Sequence, residues 1–138
     1  MSRILAIDLG AKRTGIAVTD PLQIIPGGLG TVLTKDLMKF LEEYLAHEQV
    51  ERFVVGLPRQ TNGRDSDNLP RVQAFVQRLK SKFPGISVDM FDERYTSVLA
   101  HRTMLEAGLK KKDRQNKALV DEISATIILQ GWMEARSY

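Results

Sequence analysis

Four acidic residues stand where apolar segments stop. Asp8 ends the run Ile4-Leu5-Ala6-Ile7, Asp92 and Glu93 follow the run that closes at Phe91, and Asp121 opens the helical stripe Asp121, Ala125, Ile128, Trp132. A carboxylate at the mouth of a buried strand is costly unless it is paired, hydrogen-bonded or bound to a metal, and open α/β sheets place ligands at the carboxyl ends of their strands. Acids that converge from three elements would offer oxygen ligands suited to Mg²⁺ or Mn²⁺. Two such ions, roughly 3.5–4 Å apart, activate water and stabilise the leaving oxygen of a phosphodiester. Each acid also has a local explanation. Asp8 can cap the turn at Gly10; Asp92-Glu93-Arg94 can be ordinary loop chemistry, with Thr96 or Ser97 capping the next helix; Asp121 can sit at a helix N-terminus, favoured by the macrodipole. The last explanation suits Glu122 better, about 100° round the helix from Asp121. The residue types alone do not separate Asp92 from Glu93.

The elements that must position these acids follow from the hydrophobic pattern. Ile4–Ile7 and Thr14–Thr19 read as two strands of a hairpin around Gly10-Ala11-Lys12-Arg13, the first buried on both faces. Gly10 and Gly15 allow a tight turn and a close backbone approach beside Asp8. Asp20-Pro21 and Pro26-Gly27-Gly28 read as turns, and Leu29–Leu33 as a third strand. Leu37, Phe40, Leu41, Tyr44 and Leu45 keep helical spacing, with Thr34 as the expected N-cap. Phe53–Leu57 predicts a fourth strand, Val72–Phe83 a helix ended by Pro84-Gly85, and Ile86–Phe91 a fifth strand. Further helices are expected over about Thr96–Ala107 and from Val120 to about Glu134. The order βββαβαβαα predicts an α/β fold with a mixed five-stranded sheet and helices on both faces, in a single domain over residues 1–138.

Composition narrows the function classes. The 138 residues are 43% hydrophobic and 27% charged, an ordinary globular mix that argues against wholesale disorder. Cysteine is absent, which excludes disulfides, thiolate nucleophiles and Cys-based zinc sites. No apolar run approaches the ~18–20 residues of a membrane span, and the apolar run after Met1-Ser2-Arg3 is too short for a signal peptide. The expectation is a cytoplasmic protein with no membrane partner. The net charge of +3 is unevenly spread: residues through Leu69 carry eight basic and nine acidic side chains, the remainder twelve and eight. Lys110, Lys111, Lys112, Arg114 and Lys117 crowd one segment against a lone Asp113, a pattern that fits phosphate binding as well as a solvated helix end. Arg59, Arg64 and Arg71 can extend such a surface. His47 and His101 fall on expected helices and read as surface or boundary residues, Tyr95 and Trp132 as packing residues.

Four motifs carry a family resemblance. Ile7-Asp8-Leu9-Gly10 with Lys12-Arg13 and Gly15-Ile16-Ala17-Val18, then Val55-Gly56-Leu57-Pro58, then Asp92-Glu93-Arg94-Tyr95-Thr96-Ser97, then Val120-Asp121-Glu122-Ile123-Ser124-Ala125 resemble, in order and over nearly the whole chain, the motifs of the YqgF (RuvX) family. The resemblance implies a ribonuclease H-like fold related to the RuvC Holliday-junction resolvases. It also implies a nuclease linked to maturation of the 5′ end of precursor 16S ribosomal RNA. It assigns catalytic and metal-binding carboxylates to Asp8, Glu93 and Asp121, and motif roles to Arg94 and Thr96. An Arg beside metal ions can hold a phosphate bidentately. Two departures stand out. Many ribonuclease H relatives carry an acid at the end of the fourth strand, where this chain has Gly56-Leu57-Pro58; RuvC-type resolvases carry a second acid one helical turn after the last Asp, where this chain has Ser124.

With the motifs in place, the basic segment borders the expected site from both sides, so Lys110, Lys111, Lys112, Arg114 and Lys117, with Arg94 and Thr96, are the expected nucleic-acid contacts. Aromatic residues are 7% of the chain and form no row of stacking platforms, so backbone and shape readout is expected. The leading reading is a Mg²⁺- or Mn²⁺-dependent endonuclease on structured RNA, foremost pre-16S ribosomal RNA, acting as a monomer or weak homodimer. The alternatives are a resolvase of branched DNA, which needs a symmetric dimer, and a weakly catalytic nucleic-acid-binding factor. Asp8-Leu9-Gly10 also resembles the phosphate loop of actin–hexokinase ATPases, but those enzymes need two such domains.

Overall fold

A computed structural model describes residues 2–57, 69–92 and 117–136. Strands β1 (Arg3–Leu9), β2 (Arg13–Thr19), β3 (Pro26–Leu33), β4 (Val50–Leu57) and β5 (Ser87–Asp92) form one sheet in the order β3-β2-β1-β4-β5. β1 pairs antiparallel with β2 and parallel with β4, β2 is antiparallel to β3, and β4 is parallel to β5. This is the expected mixed five-stranded sheet. Ile4, Leu5, Ala6 and Ile7 are all buried, as a central strand covered on both faces requires.

Strand alternation divides these side chains between two cores. Leu5, Ile7 and Leu9 pack with Ile16, Phe53 and Val55 against α1 (Leu37–Leu45) and α2 (Leu69–Lys82), through Leu37, Leu41, Val72, Phe75, Val76 and Leu79. Ile4, Ala6, Ala17 and Val54 pack on the other face against Ala125, Ile128 and Leu129 of α3 (Lys117–Arg136). Small residues on that face let α3 lie close. A Cβ on Gly15 would meet the Asp121 backbone oxygen at 1.9 Å, and one on Gly28 would meet Glu122 Oε1 at 2.4 Å. The stripe Ala125, Ile128, Trp132 does face the sheet. Its far end is pinned where Trp132 Nε1 donates to Asp89 Oδ2 at 3.1 Å, with Arg52 and Arg136 guanidinium carbons 5.7 and 4.9 Å from the indole centroid.

Several local expectations are corrected. Pro26-Gly27-Gly28 is not a turn but the start of β3, which runs Pro26–Leu33. Proline is tolerated there because it opens an edge strand, and a bulge beside Leu29 shifts the register between Ile16 and Ala17. Thr34 is not the N-cap of α1. It begins a 3-10 turn, Thr34–Asp36, and no side-chain cap bond forms at either helix start. β4 begins at Val50 rather than Phe53, β5 ends at Asp92 rather than Phe91, and α3 begins at Lys117, three residues before the expected Val120. The expected helix over about Thr96–Ala107 lies outside the described residues. Among the described residues, no helix is long and apolar enough to cross a membrane.

Candidate active site

The site starts from the β1–β2 hairpin. Gly10 is required there because a Cβ would meet the Arg13 carbonyl oxygen at 2.3 Å. Thr34 braces the turn from below. Its hydroxyl donates to the Gly10 carbonyl at 2.7 Å and lies 2.8 Å from the buried Thr14 hydroxyl, and its N–H donates to the Lys12 carbonyl at 2.9 Å. The hairpin therefore has a fixed shape at the carboxyl end of β1, where Asp8 projects.

Alternation puts Asp8 on the α3 face, with Ile4 and Ala6. Its cross-strand partner is Gly15, so the two Cα atoms are roughly 4.5–5.5 Å apart. The Asp121 backbone rests directly on Gly15. The missing side chain at position 15 thus brings Asp8 and Asp121 together on one face, half-buried at the sheet edge. Asp121 is the fifth residue of α3, and the first turn of that helix carries no acid, so the helix macrodipole does not explain it. Instead its carboxylate is held by Arg13, whose Nε donates to Oδ2 at 3.3 Å, with both side chains 28% exposed. Arg13 is the partner of Asp121 that residue types alone do not single out. Its signal was present in the parity it shares with Gly15. Glu122 turns away from Asp8 and lies against Gly28 of β3.

The same parity separates the paired acids at β5. Val88 packs in the α1/α2 core, whereas Phe91 packs in the α3 core and Asp89 bonds Trp132 of α3. Asp92 alternates with Phe91 and lies on the α1/α2 face, across the sheet from Asp8. Glu93, Arg94 and Thr96 lie outside the described residues, as do Lys110, Lys111, Lys112 and Arg114. Lys117 is the first residue of α3. Among the described residues, no cluster of three or more His, Cys, Asp or Glu side chains could hold a metal ion; Asp8 and Asp121 supply two carboxylates of the expected three.

Two carboxylates on the α3 face of a β3-β2-β1-β4-β5 sheet define the class: a ribonuclease H-like fold of the kind found in junction resolvases. The fowlpox virus resolvase, solved with Holliday junction DNA, matches with a TM-score of 0.58 at 13% identity, covering 99% of both chains. RuvC of T. thermophilus, also solved with a Holliday junction, matches with a TM-score of 0.58 at 15% identity, covering 99% of this chain and 96% of that one. The family model described as "RuvX: Holliday junction resolvase" matches residues 2–135, and the chain belongs to that family. Its relatives include proteins named "Putative pre-16S rRNA nuclease" from Bacteroides thetaiotaomicron, 62% identical over 100% of both chains, and from Porphyromonas gingivalis, 55% identical over 97% of both.

Proposed function

We propose that this protein is a divalent-metal-dependent endonuclease that hydrolyses phosphodiester bonds in structured RNA, processing the 5′ end of precursor 16S ribosomal RNA. The observation that carries the chemistry is the packing of Asp121 on Gly15, the cross-strand partner of Asp8, together with an Arg13–Asp121 pair that spans 108 residues of sequence. The substrate assignment rests on the names of relatives 51–62% identical to this chain.

Asp8, Asp121 and Glu93 would hold the metal. Carboxylate oxygens without thiolates fit Mg²⁺ or Mn²⁺. Glu93 is chosen over Asp92 because the family motif assigns the role to it, while Asp92 alternates with Phe91 onto the α1/α2 face, away from Asp8. The chemistry a divalent ion held by them would supply is activation of water and neutralisation of charge on the scissile phosphate. The protein's own groups do the rest. Thr34 and Gly10 keep the hairpin rigid, so that Asp8 stays in place. Arg13 orients the Asp121 carboxylate through Oδ2. Arg94 and Thr96, with the basic residues Lys110, Lys111, Lys112, Arg114 and Lys117, would hold flanking phosphates. Hydrolysis forms one P–O bond to water and breaks one to the leaving oxygen, which takes up a proton.

The family description also favours a second reading, resolution of branched DNA. One experiment separates the two. The wild-type protein and Asp8→Asn are offered precursor ribosomal RNA, a four-way DNA junction and single strands, with Mg²⁺, Mn²⁺ or chelator. RNA cleavage that is lost in the variant and in chelator supports the proposal. Junction cleavage alone supports the second reading. Binding without cleavage refutes both.

A further inference from the structure

On the face of the sheet opposite Asp8, a cleft of about 210 Å³ opens between β1, the 3-10 turn and α2. Its floor is apolar, formed by Leu9, Met38 and Phe75, and its rim is cationic, formed by Lys35, Arg71 and Arg78. Among the described residues no carboxylate lines it. All three cations are exposed, and among the described residues neither Lys35 nor Arg78 forms an ion pair. Leu9 follows Asp8 directly, so the cleft shares the sheet edge with the candidate active site. Arg71 lies in the first turn of α2, and Arg78 is seven residues on, about 10.5 Å farther along the helix axis. The cationic rim therefore leads away from the edge along α2.

The geometry points to a binding subsite for one unpaired nucleotide of the substrate strand, its base on the Leu9–Phe75 floor and its phosphates against Lys35, Arg71 and Arg78. The volume falls below the roughly 300 Å³ at which sites for drug-sized ligands begin. That suits a single base and excludes a base pair. An apolar floor inside a cationic rim is the combination single-stranded nucleic acid requires. The inference rests on the nuclease reading for its substrate: a strand that crosses the sheet edge would present its scissile phosphate to Asp8 and its flanking unpaired residue to the cleft. Cleavage would then be favoured next to a junction between paired and unpaired segments.

The test is fluorescence anisotropy in chelator, where cleavage is silent, with a labelled RNA duplex carrying either a blunt end or a short single-stranded overhang. The wild-type protein is expected to bind the overhang more tightly. The double variant Lys35→Glu/Arg78→Glu, whose exposed positions leave folding intact by thermal melting, is expected to lose roughly tenfold in affinity for the overhang. Its blunt-duplex affinity should be unchanged. Its log K against log salt slope for the overhang should shrink by about 1.4, from two lost single-strand contacts at ~0.7 each. Lys80→Glu, an exposed cation of α2 outside the cleft, should behave as wild type. Equal losses on both RNAs, an undiminished overhang preference in the double variant, or no such preference in the wild-type protein would overturn the inference. Failure of the nuclease reading shows separately, as an absence of metal-dependent cleavage with this binding pattern intact.

Discussion

Replacing Gly15 by alanine tests the contact that joins Asp8 to Asp121. The new Cβ would lie 1.9 Å from the Asp121 carbonyl oxygen and 2.4 Å from its carbon. Ordinary van der Waals contact begins at about 3.4 Å, so α3 must retreat from β2 by about 1.5 Å. Both partners are backbone, and no side-chain rotation relieves the overlap. Overpacking of this kind costs about 1–3 kcal/mol, and the absence of slack argues for the upper half of that range. At roughly 4 °C per kcal/mol for a domain of this size, the melting temperature should fall by about 8–12 °C. Activity should fall further. A displacement of about 1 Å in a catalytic group costs on the order of 100-fold, and here the segment that moves carries Asp121. Gly28→Ala is the matched control. The nearest atoms its Cβ would meet all belong to the Glu122 side chain, which can swing aside, so stability should stay within about 1 kcal/mol and activity should be retained. Circular dichroism melts and an RNA cleavage assay on both variants decide the matter. Wild-type melting and activity in Gly15→Ala, or equal damage in the two variants, would refute the reasoning.

Three further outcomes are expected. Asp121→Asn removes a partly exposed ion pair with Arg13, so thermal melting should show a loss of no more than about 1 kcal/mol while RNA cleavage is abolished; retained cleavage would contradict the role given to Asp121. Thr34→Val removes the hydroxyl bonds to Gly10 and Thr14 and should cost about 1–3 kcal/mol in denaturant unfolding, because Thr14 is buried, with Thr34→Ser restoring most of it. Asp20 accepts N–H bonds from Ile25 and Ile24 at 2.8 and 2.7 Å, which hold its carboxyl below the ordinary 3.8. Its contribution to stability is therefore present above pH 3.8 and lost as the pH falls through the lowered value. The melting-temperature gap between wild type and Asp20→Ala should close in acid, and a gap that widens there would reverse the assignment.

The sequence made some of this architecture legible and concealed the rest for identifiable reasons. β1 could be read because four consecutive apolar residues end on an acid, and a strand buried on both faces has no other pattern. The stripe from Asp121 to Trp132 could be read because its period is helical. The start of β3 is not legible because Pro26-Gly27-Gly28 is ordinary turn chemistry, and what lies against Gly28, the Glu122 side chain of α3, is distant in sequence. Thr34 carried a capping signal, yet its hydroxyl serves the β1–β2 turn. Asp92 and Glu93 could not be separated by residue type, since the face on which Asp92 falls depends on strand register, and that register is anchored by Phe91 and by the Asp89–Trp132 bond. Arg13 is named within the first motif, but its pairing with Asp121 is not legible because that partner is 108 residues away.

The central claim is that Asp8, Glu93 and Asp121 together hold a divalent ion. Crystals grown with Mn²⁺ and measured at the manganese absorption edge test it directly. The account predicts an anomalous peak bounded by these three carboxylates on the α3 face, absent in Asp8→Asn. A peak on Asp92 across the sheet, or no peak at saturating Mn²⁺, would contradict it.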